Sequence, residues 1–294
     1  MLATQFSGHE TFPLRFLWLP KAVRAAAADP GVFRSDAAIA RFGVGRNMVR
    51  AMRHWGLATG VLRPVAGSRS DVEPTAWGAA TFGEGGTDPY CERTATAWRL
   101  HWELCRHADR ATLWHWTFGC WRGGPLDLGA VEHALGPWLA DRGAAMPSSA
   151  TLRRDWACLA ACYAPTLGRG ADAEDVAASP LAALGLVSRS GGALTLRGGA
   201  RAGLDARTFA DAVLAFWDDA APGQQTIAVD HVLTRDGSPG HVFRLGADQA
   251  FRLVEAAEAL PDAPFQFDET AGLQQLYRAG VPTPAPRALD LFSA

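Results

Sequence analysis

Lysine is almost absent from this chain. Of its 28 basic residues only Lys21 is a lysine, so the other 27 are arginines. A phosphate-binding loop of the G-x-x-x-x-G-K-[ST] type cannot form without a suitably placed lysine. A Pro-Asp-(Asp/Glu)-x-Lys nuclease core is nearly excluded on the same ground. No G-x-G-x-x-G follows a strand, no G-x-S-x-G elbow occurs, and no His-Asn-His finger is present. ATP-driven, nicotinamide-dependent and ordinary hydrolase readings therefore lack support. The surplus of arginine, with abundant Ala and Gly, reads as the codon bias of a GC-rich genome and carries no function by itself.

Long apolar runs are missing as well. No segment approaches the ~18 consecutive apolar residues of a membrane span, and the N-terminus has no signal-peptide pattern. The five cysteines (Cys91, Cys105, Cys120, Cys158 and Cys162) include no C-x-x-C. That spacing suits neither a disulfide framework nor a zinc ribbon, and predicts reduced, mostly buried thiols in a cytoplasmic protein. The net charge of −2 rules out a uniformly basic coat but leaves room for local basic patches.

What is present is apolar mass. With 294 residues, 48% of them apolar and eleven tryptophans among them, the chain can bury a real core and exceeds one typical domain. The expected fold is mainly α with small β-hairpin wings: winged helix-turn-helix units plus a helical domain.

"FPLRFLWLPKAVRAAAAD" predicts a helix that Thr11 caps and Pro13 opens, with Pro20 kinking or dividing it. In "SDAAIARFGVGRNMVRAMRHW", Ser35 or Asp36 caps a short helix to Phe42, Gly43-Val44-Gly45 turns, and Arg46 to Trp55 forms a second helix with Val49, Met52 and Trp55 on one face. This resembles the helix-turn-helix of bacterial transcription factors. "GLATGVLRPVAGSRSDVEPTAWGAATFG" then reads as strand, polar turn, strand. The first module, a winged-helix DNA-binding domain, spans 1–86.

Residues 87–146 read as a tryptophan-rich helical region, its indoles mostly core. Residues 147–200 form a second winged-helix-like unit: Ser148 or Ser149 caps a helix, and "LGLVSRSGGALTLRGG" repeats the strand-turn-strand theme. Residues 201–294 are helical again, with "QTIAVDHVL" a short strand or buried helix, "TAGLQQLYRAG" a last helix, and a Pro-rich extended tail.

Two groups of residues carry candidate chemistry. Arg46, Arg50 and Arg53 share a helix face, and Asn47 could reach a base edge. A guanidinium fork bonds two acceptors, either phosphate oxygens or guanine N7 and O6, so this face suits double-stranded DNA, with Arg63 and Arg69 on the wing adding phosphate contacts. The alternative is a protein-interaction module or plain solvated arginines. The second group lies in "FSGHETFPLR". His9 and Glu10 could share a divalent metal, Mg or Mn, or act as base and acid on a phosphodiester, with Arg15 holding the phosphate. The alternative is a hydrogen-bonded turn with Glu10 near a helix start. Asp230-His231 with Asp236 and His241 matches no metal signature and reads as a polar loop. Arg153, Arg154 and Asp155 read as a structural ion pair.

"FSGHETFPLR", "SPLAALGLVSR" and the helix containing Asp155 together resemble a bacterial family encoded beside DNA phosphorothioation genes, the SspB-like DNA-nicking component of Ssp-type single-strand phosphorothioation systems. The likeness spans essentially the full length. It implies a nick or strand-access function that supports replacing a non-bridging phosphate oxygen with sulfur. It also implies two partners, a cysteine desulfurase and an ATP-pyrophosphatase-type sulfur-transfer protein, in a system directed against phage. His9, Glu10 and Arg15 are the expected catalytic residues, from chemistry and motif position. The competing expectations are a non-catalytic adaptor that delivers DNA to the sulfur-transfer enzyme and a winged-helix transcriptional regulator. Winged helices commonly pair on DNA, so a homodimer is one expected arrangement.

Overall fold

A computed structural model of the chain describes residues 1–34, 37–166, 179–270 and 272–280. The expected cap at Ser35 or Asp36 and the Pro-rich tail after Gly280 lie outside the described residues. About half of those residues are helical, with small antiparallel sheets among the rest.

Helix α1 (Trp18–Ala28) buries Trp18, Leu19, Ala22, Val23, Ala25 and Ala26 along one side. It runs unbroken through Pro20, because Pro20 falls in the first turn, where the absent N–H has no intrahelical partner to lose. Thr11 and Pro13 precede the helix and do not start it; Thr11 belongs to a turn and Pro13 to the irregular stretch after it. Helix α2 (Ala37–Phe42) ends at Gly43, whose φ of +67° favours glycine. Helix α3 (Arg46–Ala58) follows, burying Val49, Met52 and Trp55.

Strands β1 (Leu62–Pro64) and β2 (Val72–Pro74) pair antiparallel, with Arg63 opposite Glu73. The hairpin is shorter than expected. Pro74 cannot donate to a ladder, and the hydroxyl of Thr75 accepts from the Gly78 N–H at 3.0 Å, which starts helix α4 (Ala76–Phe82) in the place of a longer strand.

Helices α5 (Thr94–Arg106), α6 (Thr112–Gly119) and α7 (Leu128–Ala140) carry the tryptophan-rich stretch. Trp98, Trp102, Trp114 and Trp116 are buried, while Trp121 and Trp138 pack against the core from its edge. Ser148 caps helix α8 (Ser149–Tyr163) by accepting from the Thr151 N–H at 3.2 Å. Strands β3 (Val187–Ser190) and β4 (Ala193–Leu196) form a second hairpin. Its two-residue turn, Gly191-Gly192, has positive φ at both positions, which matches the right-handed twist of paired strands. Leu194 also bonds through its backbone to Leu126, at 2.7 and 2.8 Å, tying this hairpin to the entry of α7.

In the last region "QTIAVDHVL" resolves into strand β5 (Thr226–Ala228) and a short helix (Val229–Thr234). The expected helix in "TAGLQQLYRAG" is instead strand β7 (Leu273–Arg278), central in a sheet of order β5-β7-β6, where β6 is Phe265–Thr270. Leu273, Leu276 and Tyr277 fit a helical period locally. Backbone pairing on both edges of the strand outweighs that local preference.

One hydrophobic core joins all four stretches, running from Leu14 through Trp55, Trp98, Trp114 and Trp217 to Leu276. No helix among the described residues is long and apolar enough to cross a membrane.

Candidate functional site

The site is organised by the loop at Phe6–Phe12. Ser7, Glu10 and Thr11 all adopt positive φ (65°, 50° and 71°). Non-glycine residues in this region cost roughly 1–3 kcal/mol each and persist where the surroundings over-determine them. The surroundings here are explicit. The buried Asp155 carboxylate of α8 accepts from the Ser7 N–H, at 3.0 Å to Oδ1 and 3.2 Å to Oδ2. Nδ1 of His9 accepts from the Thr11 N–H at 3.1 Å, so its Nε2 carries the proton and donates to Asp155 Oδ1, also at 3.1 Å. The His9 ring stacks at 6.0 Å from Trp55 and meets Trp114 edge-on at 5.8 Å. Trp55 Nε1 donates to the Phe12 carbonyl at 3.0 Å. The loop is thus fastened to α3, α6 and α8 at once.

This geometry bears on the expected chemistry. His9 is 1% exposed and both its ring nitrogens are engaged, so it has no lone pair to offer a metal or a reacting proton. Glu10 is accessible and lies 3.7 Å from Arg50. The two neighbours in sequence therefore face different surroundings and do not converge as a metal pair. No group of three or more His, Cys, Asp or Glu side chains suited to a metal exists among the described residues. Arg15 has its guanidinium over the Trp18 ring at 5.5 Å and does not line the basic concavity next to the loop. Asp155 is not a partner of Arg153 or Arg154; it turns inward to the loop while those two arginines face solvent.

The concavity has a volume of about 340 Å³ and is lined by Gln5, Gly8, Arg50, Arg53, His54 and Arg110, among others. Gly8 is required there, because a Cβ would stand 2.2 Å from Nδ1 of His54. His54 is pushed down to about 3, chiefly by burial and further by the charge of Arg53, so it remains uncharged at neutral pH. Burial also lowers Arg53, whose Nη2 donates to the Ser70 carbonyl at 3.2 Å and braces α3 against the turn between β1 and β2. Arg46, Asn47 and Arg50 are exposed on α3, and Arg69 is exposed on the turn between β1 and β2. Arg63 is exposed and paired with Glu73 at 2.8 Å. Arg50 and Arg53 thus meet in one concavity, while Arg46 and Arg63 line neighbouring hollows.

Sequence reasoning missed Arg110, Asp109 and His54 as members of this surface. Arg110 and Asp109 come from the turn between α5 and α6, about fifty residues beyond α3, and no local pattern marks them.

The domain family described as "Protein of unknown function (DUF4007)" matches residues 6–290. The chain belongs to the DUF4007 family. No curated protein matches it. This DUF4007 chain is similar to two solved structures, a magnesium ion-bound SspB crystal structure with a TM-score of 0.83 and an SspB crystal structure with a TM-score of 0.82. Each is 29% identical to it, over 94% of this chain and 84% of that one. The DUF4007 chain is therefore SspB-like, as its N-terminal motif led one to expect.

Proposed function

We propose that the chain is a DNA-engaging subunit of a phosphorothioate-modification system directed against phage, and that it nicks one strand to give the sulfur-transfer machinery access. The observation that carries this reading is the concavity of Arg50, Arg53 and Arg110, walled by the fastened loop and continuous with the exposed Arg46 and Asn47 of α3. Similarity to SspB along 94% of the chain supports the system assignment. In this reading α2, α3 and the β1–β2 hairpin act as a winged helix on double-stranded DNA. Arg46, Asn47 and Arg50 enter a groove, and Arg63 and Arg69 contact the backbone.

His9 serves as a positioning residue: with Asp155 it holds the loop that presents Glu10 beside Arg50. Glu10, accessible and next to a guanidinium, is the loop's candidate for the phosphodiester chemistry. A magnesium-bound SspB structure makes Mg or Mn the natural ions to supply. A desulfurase and an ATP-pyrophosphatase-type sulfur-transfer protein are the proposed partners.

The test is plasmid nicking by the purified chain with Mg²⁺ or Mn²⁺. Open circles should accumulate with wild type and fall at least tenfold with Glu10→Gln and with Arg50→Ala. Plasmid binding without open circles in either ion would replace the nickase by the adaptor reading. No plasmid binding would remove both.

A further inference from the structure

A larger cavity, about 550 Å³, adjoins the first and shares Leu57, Asp109 and Arg110 with it. Its volume falls within the ~300–1,000 Å³ usual for organic ligands. Its wall combines features that the outer arginine face lacks. Trp77 of α4 carries the Arg99 guanidinium 4.8 Å over its ring, so a flat aromatic and a flat cation form one platform. Arg99 is held in place by Asp211 at 2.7 Å. The Glu103 carboxylate is largely enclosed and only loosely paired with Arg110, at 4.0 Å; burial raises its pKa, against the pull of the surrounding arginines. Arg63 and Arg110 also line it. Four lining arginines outnumber two lining carboxylates, Glu103 and Asp109.

Phosphate binding alone needs neither the indole nor an enclosed carboxylate. A nucleotide needs all three: cations for phosphate, a planar surface for the base, and a polar group for the base edge. We infer that this cavity receives one unpaired nucleotide of the bound DNA, its base against the Trp77–Arg99 platform, its edge toward Glu103, and its phosphate toward Arg63 and Arg110. The inference rests on the DNA-engaging reading above, and places the unpaired nucleotide one step along the same surface from the α3 contacts.

Fluorescence anisotropy of the full chain on two labelled duplexes decides it. The duplexes differ only at one bulged position, thymidine in one and an abasic residue in the other; a continuous duplex serves as reference. Wild type should favour the thymidine bulge over the abasic bulge by about tenfold, the scale of one stacked base. Trp77→Ala should bring that ratio to within about twofold of one, Trp77→Phe should retain most of it, and Arg207→Ala, remote from the cavity, should leave it intact. Arg99→Ala repeats the test should Trp77→Ala fail to fold in a thermal melt. Equal affinity of wild type for the two bulges, with the continuous duplex still bound, overturns the cavity assignment and spares the DNA reading. Failure to bind any of the three duplexes overturns both.

Discussion

Two regions of this molecule share a plan and differ in what they do with it. In the first, α3 leads into the β1–β2 hairpin; in the second, α8 is followed along the chain by the β3–β4 hairpin. Helix α3 buries one side and turns Arg46, Asn47 and Arg50 to solvent. Helix α8 buries Leu152, Asp155, Trp156, Leu159 and Tyr163, and turns inward the one charge that matters, the Asp155 carboxylate. Its hairpin is bonded to Leu126, where the first hairpin's turn is exposed at Arg69. A repeated backbone motif therefore does not imply a repeated role. The charge on the open face and the partner on the closed face set the role, and here one helix offers cations while the other holds the loop beside them.

The contrast can be broken most forcefully at Asp155. Asp155→Ala leaves the Ser7 N–H and the His9 Nε2–H without their buried acceptor, and should cost about 3 kcal/mol. In a chain of this size the melting temperature should drop by roughly 5 °C; an unchanged melt would show that α8 does not hold the loop. The next effect is on binding. Arg46→Ala with Arg50→Ala should weaken affinity for a duplex about tenfold or more and flatten its salt dependence by about one unit of slope for each phosphate no longer neutralised. Arg153→Ala with Arg154→Ala, on the exposed side of α8, should change affinity less than twofold. Equal losses from the two pairs would erase the distinction between the helices.

The smallest effect reads the closed side of the molecule through pH. Burial holds His54 down at about 3 and His101 at about 4, while the same side chains titrate near 6.5 when unfolded. The unfolded chain therefore binds more protons below pH 6.5, and stability falls as pH drops from about 6.5 toward 4. Each of these histidines should cost about 1 kcal/mol between pH 7.5 and 5.5, seen as a falling melting temperature. His101→Gln should reduce that slope; a flat profile in wild type would mean that these rings are hydrated in solution.

Much of α3 was legible because its signals are local: the Gly43–Gly45 turn, the apolar spacing of Val49, Met52 and Trp55, and arginines one turn apart. The glycine pair at 191–192 marked the second hairpin in the same way. Strand β7 was not legible, because Leu273, Leu276 and Tyr277 satisfy a helical period and only partners supplied by β5 and β6 decide otherwise. The early end of β2 was missed because a threonine cap after a proline weighs little against a run that reads as strand. In the candidate site, the arginines of α3 could be named in advance. The role of His9 could not, since it depends on an acid 146 positions away; neither could Arg110, which reaches the concavity from another layer of the core.

The Asp155 contact also orders events during synthesis. Residues 6–12 leave the ribosome before the acid that fixes their left-handed backbone, which follows His9 by 146 positions. Until α8 docks, α3 exists beside a loop with no settled shape, and the basic concavity has only one of its walls. In the DNA-engaging reading, a nascent chain, or a fragment ending near residue 86, should therefore meet DNA without the finished pocket, so that competence at the first site is withheld until the middle of the protein has folded.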